Sequence, residues 1–363
     1  MQYKNRIIEL PQNRVWRSYQ GGRILDELAG KSEPSDSHFP EDWIGSVTAA
    51  SNPDSQNPNE GISTVRPGGE GSEELLLPEL IAKDPGYFLG EDHVAKFGQQ
   101  PMLLIKFLDA AVRLQLQAHP TAEFAKQHLD SNSGKAEAYY ILDVRDDVED
   151  AYVYLGFQRS PDREEFRKWI EEQNLDAILG CFDKIRVKLG DVLFIPGGVP
   201  HAIGEGIFMV EIMEPSDLVV RFEFERAGYT LPESARFMNR GLDFCMDIFD
   251  FNAMPEPVVR RDYMFQPKEE VAYGESGKRY SLIGPEATSC FSVKKSVIRG
   301  TVERAEDSFY IGVVTEGECV VKTDGHECKL NKFSKFFCPA GLGNYTIQSD
   351  AGVEILESFP PRE

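Results

Sequence analysis

The chain has 363 residues, a formal net charge of −21, 41% apolar residues and 27% charged residues. This composition supports a globular protein with a sizeable core. It excludes the basic stripe that nucleic acid requires, and there is no apolar run of about 18 residues to span a membrane. The 6 cysteines form no C-x-x-C pair and read as small buried hydrophobes, while MQYKNRIIELPQNRVW lacks the apolar centre of a leader, so a cytoplasmic location is expected.

In chain order, residues 14–22 and 39–50 alternate aromatic or branched side chains with turn residues and predict short strands. Residues 51–70 are rich in Asn, Pro, Gly and Ser and read as loops around a short strand at 62–65. A helix is expected over 72–81, interrupted at Pro78, and another near 90–97. Residues 102–119 then read as two strands joined at Asp109-Ala110. In the second, Leu114, Leu116 and Ala118 point one way and Arg113, Gln115, Gln117 and His119 the other. In a barrel with a polar cavity, that second face lines a site.

Pro120 stops the strand, and a short helix carrying a surface His128 follows. A strand over 138–142 is entered through Gly134-Lys135-Ala136-Glu137, where Lys135 and Glu137 share a face. After a strand at 151–157, residues 160–180 predict one helix, with Ser160 as cap, Pro161 at its first position and Phe166, Trp169 and Ile170 on one side. It is expected to lie as a flap across the barrel.

Residues 188–206, KLGDVLFIPGGVPHAIGEG, place a buried strand at Val192 to Ile195, a sharp turn at Pro196-Gly197-Gly198, and His201 at the start of the next strand. The spacing Gly190, Pro196, Gly198, His201 resembles the second motif of the cupin family of small β-barrels, in which the histidine binds a metal inside the barrel. Strands are expected at 208–212 and 218–224, then a helix opened by a Thr230–Glu233 capping box with Phe237, Leu242 and Met246 inward. A boundary near 256 divides a catalytic unit, 1–255, from a C-terminal unit, 256–363. In the latter, Pro339-Ala340-Gly341-Leu342-Gly343-Asn344 repeats the turn spacing with Asn344 where His201 stood.

Gln117 and His119 on one strand, Glu137 on a second and His201 at the hairpin form a metal-ligand set. Two imidazoles and a carboxylate suit zinc, and a glutamine carbonyl is an acceptable weak fourth ligand. The stretches LQLQAHP, GKAEAYYIL, GDVLFIPGGVPHAIGEG and EPSDLVVRF, in this order and together with KFLDA, resemble those of type I mannose-6-phosphate isomerases. The resemblance runs from about Phe39 onward. It implies a mainly β double cupin, two jelly-roll barrels with short helical insertions, and one Zn2+ per chain on Gln117, His119, Glu137 and His201. It also implies substrate-site roles for Lys135, Asp217 and Arg221.

The implied reaction interconverts mannose 6-phosphate and fructose 6-phosphate through an enediol. Lys135, Asp217 or a water on the metal would carry the proton, and Arg221 would grip the enediolate or the phosphate. Asp217 and Arg221, four apart on an expected strand, would share a face.

Two departures bear on the sugar. Gln115 stands where the family carries a small hydroxyl, which makes it a substrate-contact candidate, and Trp16-Arg17-Ser18 replaces the family's Trp-Gly-Gly. Two other classes fit less well. An iron-dependent cupin oxygenase conflicts with Gln117 and the Lys135-x-Glu137 arrangement. A non-catalytic sugar-binding cupin would require Gln115 to block the pocket.

Overall fold

The computed structural model describes residues 3–52, 55–69 and 71–361; positions 53, 54 and 70 of the expected 51–70 loop lie outside the described residues. The chain is mainly β, with short helices between strands. In the N-terminal part a seven-stranded antiparallel sheet faces a five-stranded one. The larger runs in the order Met264–Phe265, Val192–Ile195, Glu137–Val144, Ile207–Met213, Leu104–Asp109, Glu41–Ile44, Arg14–Val15. The smaller is Ile185–Arg186, Tyr152–Leu155, His201–Ile203, Gln117–Ala118, Val220–Arg221.

Tyr139, Ile141, Leu193 and Met209 from the first sheet meet Val153, Leu155 and Ile203 from the second, closing a barrel around an apolar core. The outer face of the large sheet is also apolar. Phe107, Tyr140, Val210 and Ile212 pack there against Phe309, Ile311, Val313 and Leu356 of the C-terminal barrel. That second barrel is an eight-stranded sheet whose interior holds Ile298, Tyr310, Val314, Phe336, Ile347 and Ile355. The chain crosses between barrels in both directions: Ile8–Glu9 pairs with Lys335–Cys338, and Met264–Phe265 pairs with Val192–Leu193.

Several elements differ from expectation, each for a local reason. Pro78 does not interrupt a helix; a strand at Leu75–Leu76 precedes a helix over Leu77–Lys83, which takes the proline in its first turn, where no N–H is needed. The 160–180 segment is two helices, Arg163–Glu172 and Leu175–Leu179, separated by Gln173 in the left-handed region. Asp162, not Ser160, caps the first, accepting from the amides of Glu164 and Glu165. Nor is that helix a flap over the barrel. Phe166 and Ile170 pack with Leu116, Ala118, Ala202 and Val220, on the outward side of the small sheet.

The Thr230 capping box does not form. A hairpin takes Tyr229–Thr230, and only a short turn at Glu233–Ala235 and a helix at Leu242–Cys245 follow. The second strand of 102–119 shrinks to Gln117–Ala118, and that of 218–224 to Val220–Arg221. Asp217 therefore lies off the strand that was expected to align it with Arg221.

Candidate active site and metal centre

The turn at 196–198 builds the site by docking on the other histidine's strand. A Cβ on Gly197 would sit 2.8 Å from Thr121 Cα, so only glycine permits the approach. Gly198, at φ +88°, donates its N–H to His119 O at 2.6 Å. Across the small sheet His201 pairs with Gln117, and Gln117 with Arg221, so the three side chains share the inward face. Glu137 enters from the large sheet, at the end of the strand that begins with it. Its lead-in is clamped by Glu214, which accepts from the amides of Gly134 and Ala136 at 3.1 and 2.9 Å.

His119, Glu137 and His201 are the one group of three or more His, Cys, Asp or Glu residues among the described residues whose ligand atoms lie within 4.8 Å of one another. All three are buried. His119 Nδ1 donates to Leu218 O at 2.7 Å and His201 Nδ1 to Val199 O at 2.9 Å. Burial holds both imidazoles neutral, His119 down to about 3, so each Nε2 keeps an unprotonated lone pair. These lone pairs face Glu137, with His119 Nε2 3.1 Å from Oε1 and His201 Nε2 3.5 Å from Oε2. Burial would raise the Glu137 carboxyl, but Lys135 overrides it and holds it well below the usual range.

Unprotonated nitrogens thus converge on an unprotonated carboxylate. Lys135 Nζ lies 2.9 Å from Glu137 Oε1, yet that oxygen accepts no well-aligned hydrogen bond. Such a donor set fits a divalent cation. Gln117 lies alongside, its amide Nε2 3.3 Å from His201 Nε2, and a half-turn of that amide would present the carbonyl oxygen instead.

The remaining expected residues take separate places. Lys135 Nζ also lies 3.2 Å from His119 Nε2. Arg221 lines the cavity and donates to Ala235 O at 3.1 Å. Gln115 is buried and lines the same cavity; its Oε1 accepts from Ser18 Oγ at 3.3 Å, whereas Nε2 has no hydrogen-bond partner. Asp217 is paired with Arg17 rather than Arg221, at 3.2 and 3.3 Å, and also accepts from the Ser51 amide at 2.8 Å. His128 is exposed against Phe124, and Asn344 is exposed in the second barrel.

Sequence reasoning missed a buried charged lattice beside the ligands. Glu41 accepts from Arg17, Trp43 and Tyr19 at 2.8, 2.7 and 2.7 Å. Lys106 Nζ lies 2.8 Å from Glu211, whose carboxyl is raised to about 7 by burial and by the nearby Glu137. Tyr139 donates to Glu137 Oε2 at 2.6 Å. Lys106 did carry a signal, as the one cation within the otherwise apolar run Leu103 to Leu108.

Paired antiparallel barrels with an inward His-Glu-His cluster in one of them define a double-cupin enzyme. Residues 285–359 match the family model "Mannose-6-phosphate isomerase, cupin domain". A mannose-6-phosphate isomerase of Streptococcus mutans is 31% identical over 354 residues, 96% of each chain. A probable mannose-6-phosphate isomerase of Bacillus subtilis is 29% identical over 260 residues, 71% of this chain and 75% of the relative. The crystal structure of a Bacillus subtilis mannose 6-phosphate isomerase superposes with a TM-score of 0.71 at 23% identity, covering 97% of this chain and 99% of the other. The chain belongs to the type I mannose-6-phosphate isomerase family and is an isomerase.

Proposed function

We propose that the chain interconverts mannose 6-phosphate and fructose 6-phosphate through an enediol, using one zinc ion held by Gln117, His119, Glu137 and His201. The observation that carries this reading is the convergence of two Nδ1-anchored histidines on an unprotonated Glu137. A divalent ion there would act as a Lewis acid, offsetting negative charge that develops on the sugar oxygens. Lys135 reaches both Glu137 and His119 and is placed to hold or move a proton at the edge of the ligand set. Asp217 is the alternative proton carrier, held unprotonated by Arg17 against the upward push of burial. Arg221, one of whose nitrogens is tied to Ala235 O, has the planar fork that would grip adjacent oxygens.

The same reading keeps residues 1–255 as the metal-binding unit and 256–363 as the C-terminal cupin unit, with Ile8–Glu9 and Met264–Phe265 each lending a strand to the other unit's sheet. This is supported by the ligand group lying wholly in the first and the family-model match in the second. A cytoplasmic site of action is part of it; among the described residues no helix is long and apolar enough to cross a membrane. The test is a coupled assay of mannose 6-phosphate conversion to fructose 6-phosphate with and without a chelator. Turnover that stops on chelation and returns with zinc is expected, and no turnover in the zinc-loaded protein would overturn the assignment.

A further inference from the structure

The two carboxylate oxygens of Glu137 have different surroundings. Oε1 lies 3.1 Å from His119 Nε2 and 2.9 Å from Lys135 Nζ, without a well-aligned hydrogen bond. Oε2 accepts from the Tyr139 hydroxyl at 2.6 Å and lies 3.5 Å from His201 Nε2. His201 commits its N–H to Val199 O, so Tyr139 is the donor that Oε2 uses. Its length is that of a charge-assisted bond from a hydroxyl to a carboxylate, roughly twice as strong as a neutral one.

Tyr139 is rigidly placed to impose this asymmetry. It stands two positions after Glu137 on the strand Glu137–Val144, so both side chains leave the same face of the sheet. The strand is flanked on both sides, Tyr139 pairing with Leu193 across one ladder and Glu211 across the other. Its buried ring belongs to the apolar core of the barrel with Ile141, Leu193 and Met209. A ring held in this way cannot follow the carboxylate, so the carboxylate is fixed by the hydroxyl. With Oε2 engaged, Oε1 is the oxygen left to a cation. A buried carboxylate oxygen without a partner is costly, and an ion bound with the two imidazoles would supply one.

We propose that Tyr139 is a positioning residue for the metal: its hydroxyl holds Glu137 Oε2 and thereby presents Oε1 as the ligand oxygen. This rests on the metal reading above. Without the hydroxyl the carboxylate is free to turn about its last bond, and ordering it again is subtracted from the binding free energy of the ion. A hydrogen bond that merely satisfied a buried carboxylate would stabilise the metal-free and loaded proteins alike and leave zinc affinity unchanged.

The test removes one oxygen and keeps the ring, in Tyr139→Phe. Tyr310→Phe is the control, because that hydroxyl is also buried and shares a hydrogen bond with Tyr345 at 2.9 Å in the second barrel. Zinc affinity of the full chain is measured by competition with a chromophoric chelator, and thermal melts are recorded with and without zinc. Tyr139→Phe should bind zinc about ten- to a hundredfold more weakly than the wild type and show a smaller zinc-induced rise in Tm, while Tyr310→Phe keeps the wild-type affinity. An affinity within about threefold of the wild type in Tyr139→Phe overturns the inference, as does equal weakening in Tyr310→Phe. Loss of cooperative melting in metal-free Tyr139→Phe also overturns it, since the hydroxyl would then serve the fold. The wild-type titration separates the two readings. Failure of the wild type to bind zinc tightly overturns the metal assignment together with this inference, whereas tight binding that Tyr139→Phe leaves unchanged overturns the role of Tyr139 alone.

Discussion

His119 and His201 lie with ring centroids 5.0 Å apart, each committing Nδ1 to a backbone carbonyl and turning Nε2 toward Glu137. Each anchor is a backbone carbonyl, Leu218 O for His119 and Val199 O for His201, so neither ring's orientation depends on the other imidazole. Replacing His119 or His201 with alanine should therefore abolish tight metal binding and turnover while leaving the circular-dichroism spectrum unchanged. Elemental analysis of the purified variants checks the first effect. Tight zinc binding retained in either variant, or two tightly bound ions in the wild type, would contradict the ligand assignment.

Arg221→Lys should keep its zinc and lose most activity, about one to two powers of ten in kcat. An ammonium preserves the charge opposite Gln117 but cannot reproduce the planar fork. Near wild-type turnover would reduce Arg221 to a structural contact with Ala235 O.

Gly197→Ala places a methyl 2.8 Å from Thr121 Cα and 2.9 Å from Pro120 O, backbone atoms that cannot move without displacing His119. Destabilisation of about 1–3 kcal/mol is expected, together with weaker metal affinity, because the same turn carries the Gly198 to His119 hydrogen bond. Thermal melts of metal-free and zinc-loaded protein separate the two effects.

Gln115→Ser should raise kcat/KM for mannose 6-phosphate by about one to two powers of ten, at about 1.4 kcal/mol per tenfold. The shorter side chain enlarges the cavity that Gln115 shares with Gln117 and Arg221 and removes a buried N–H that has no partner. Steady-state kinetics with both proteins decides the matter; a fall would mean that the amide already makes a productive contact with the sugar.

In the second barrel, Glu357 is enclosed by Arg304 at 3.0 Å, Arg279 at 2.6 Å and Ser296 at 2.8 Å. Burial alone would raise its carboxyl, but Arg304 and Arg279 override it and bring it to about 2 from an ordinary 4.5. Below the native value both folded and unfolded chains hold the proton. Above 4.5 neither does, and the ion pairs then contribute about 3 kcal/mol. Stability from this group is thus fully present above about pH 4.5 and is lost as pH falls toward about 2. Glu357→Gln should melt lower at neutral pH and show a flatter decline over that acid range. An identical slope in variant and wild type would exclude Glu357 as a source of acid sensitivity.

The ligand candidates were legible in the sequence because their positions follow from short-range rules. Strand alternation puts Gln115, Gln117 and His119 on one face, and a Pro-Gly-Gly turn determines where His201 begins its strand. Barrel strands such as Val192–Ile195 and Ile207–Met213 were legible through apolar patterning, whereas the second strand of 102–119 and that of 218–224 were read too long. Helix limits were not, since Asp162 and Gln173 set them through individual hydrogen bonds and one left-handed residue. Only the tertiary structure showed that Arg17, 200 positions away, takes Asp217, and that Glu214 clamps the approach to Glu137 from 78 and 80 residues downstream. Nothing in local pattern distinguishes a buried arginine or glutamate from a solvated one. The difference arises when sheets far apart in the chain close over the same cavity, remove water from it, and leave each charge to find its partner there.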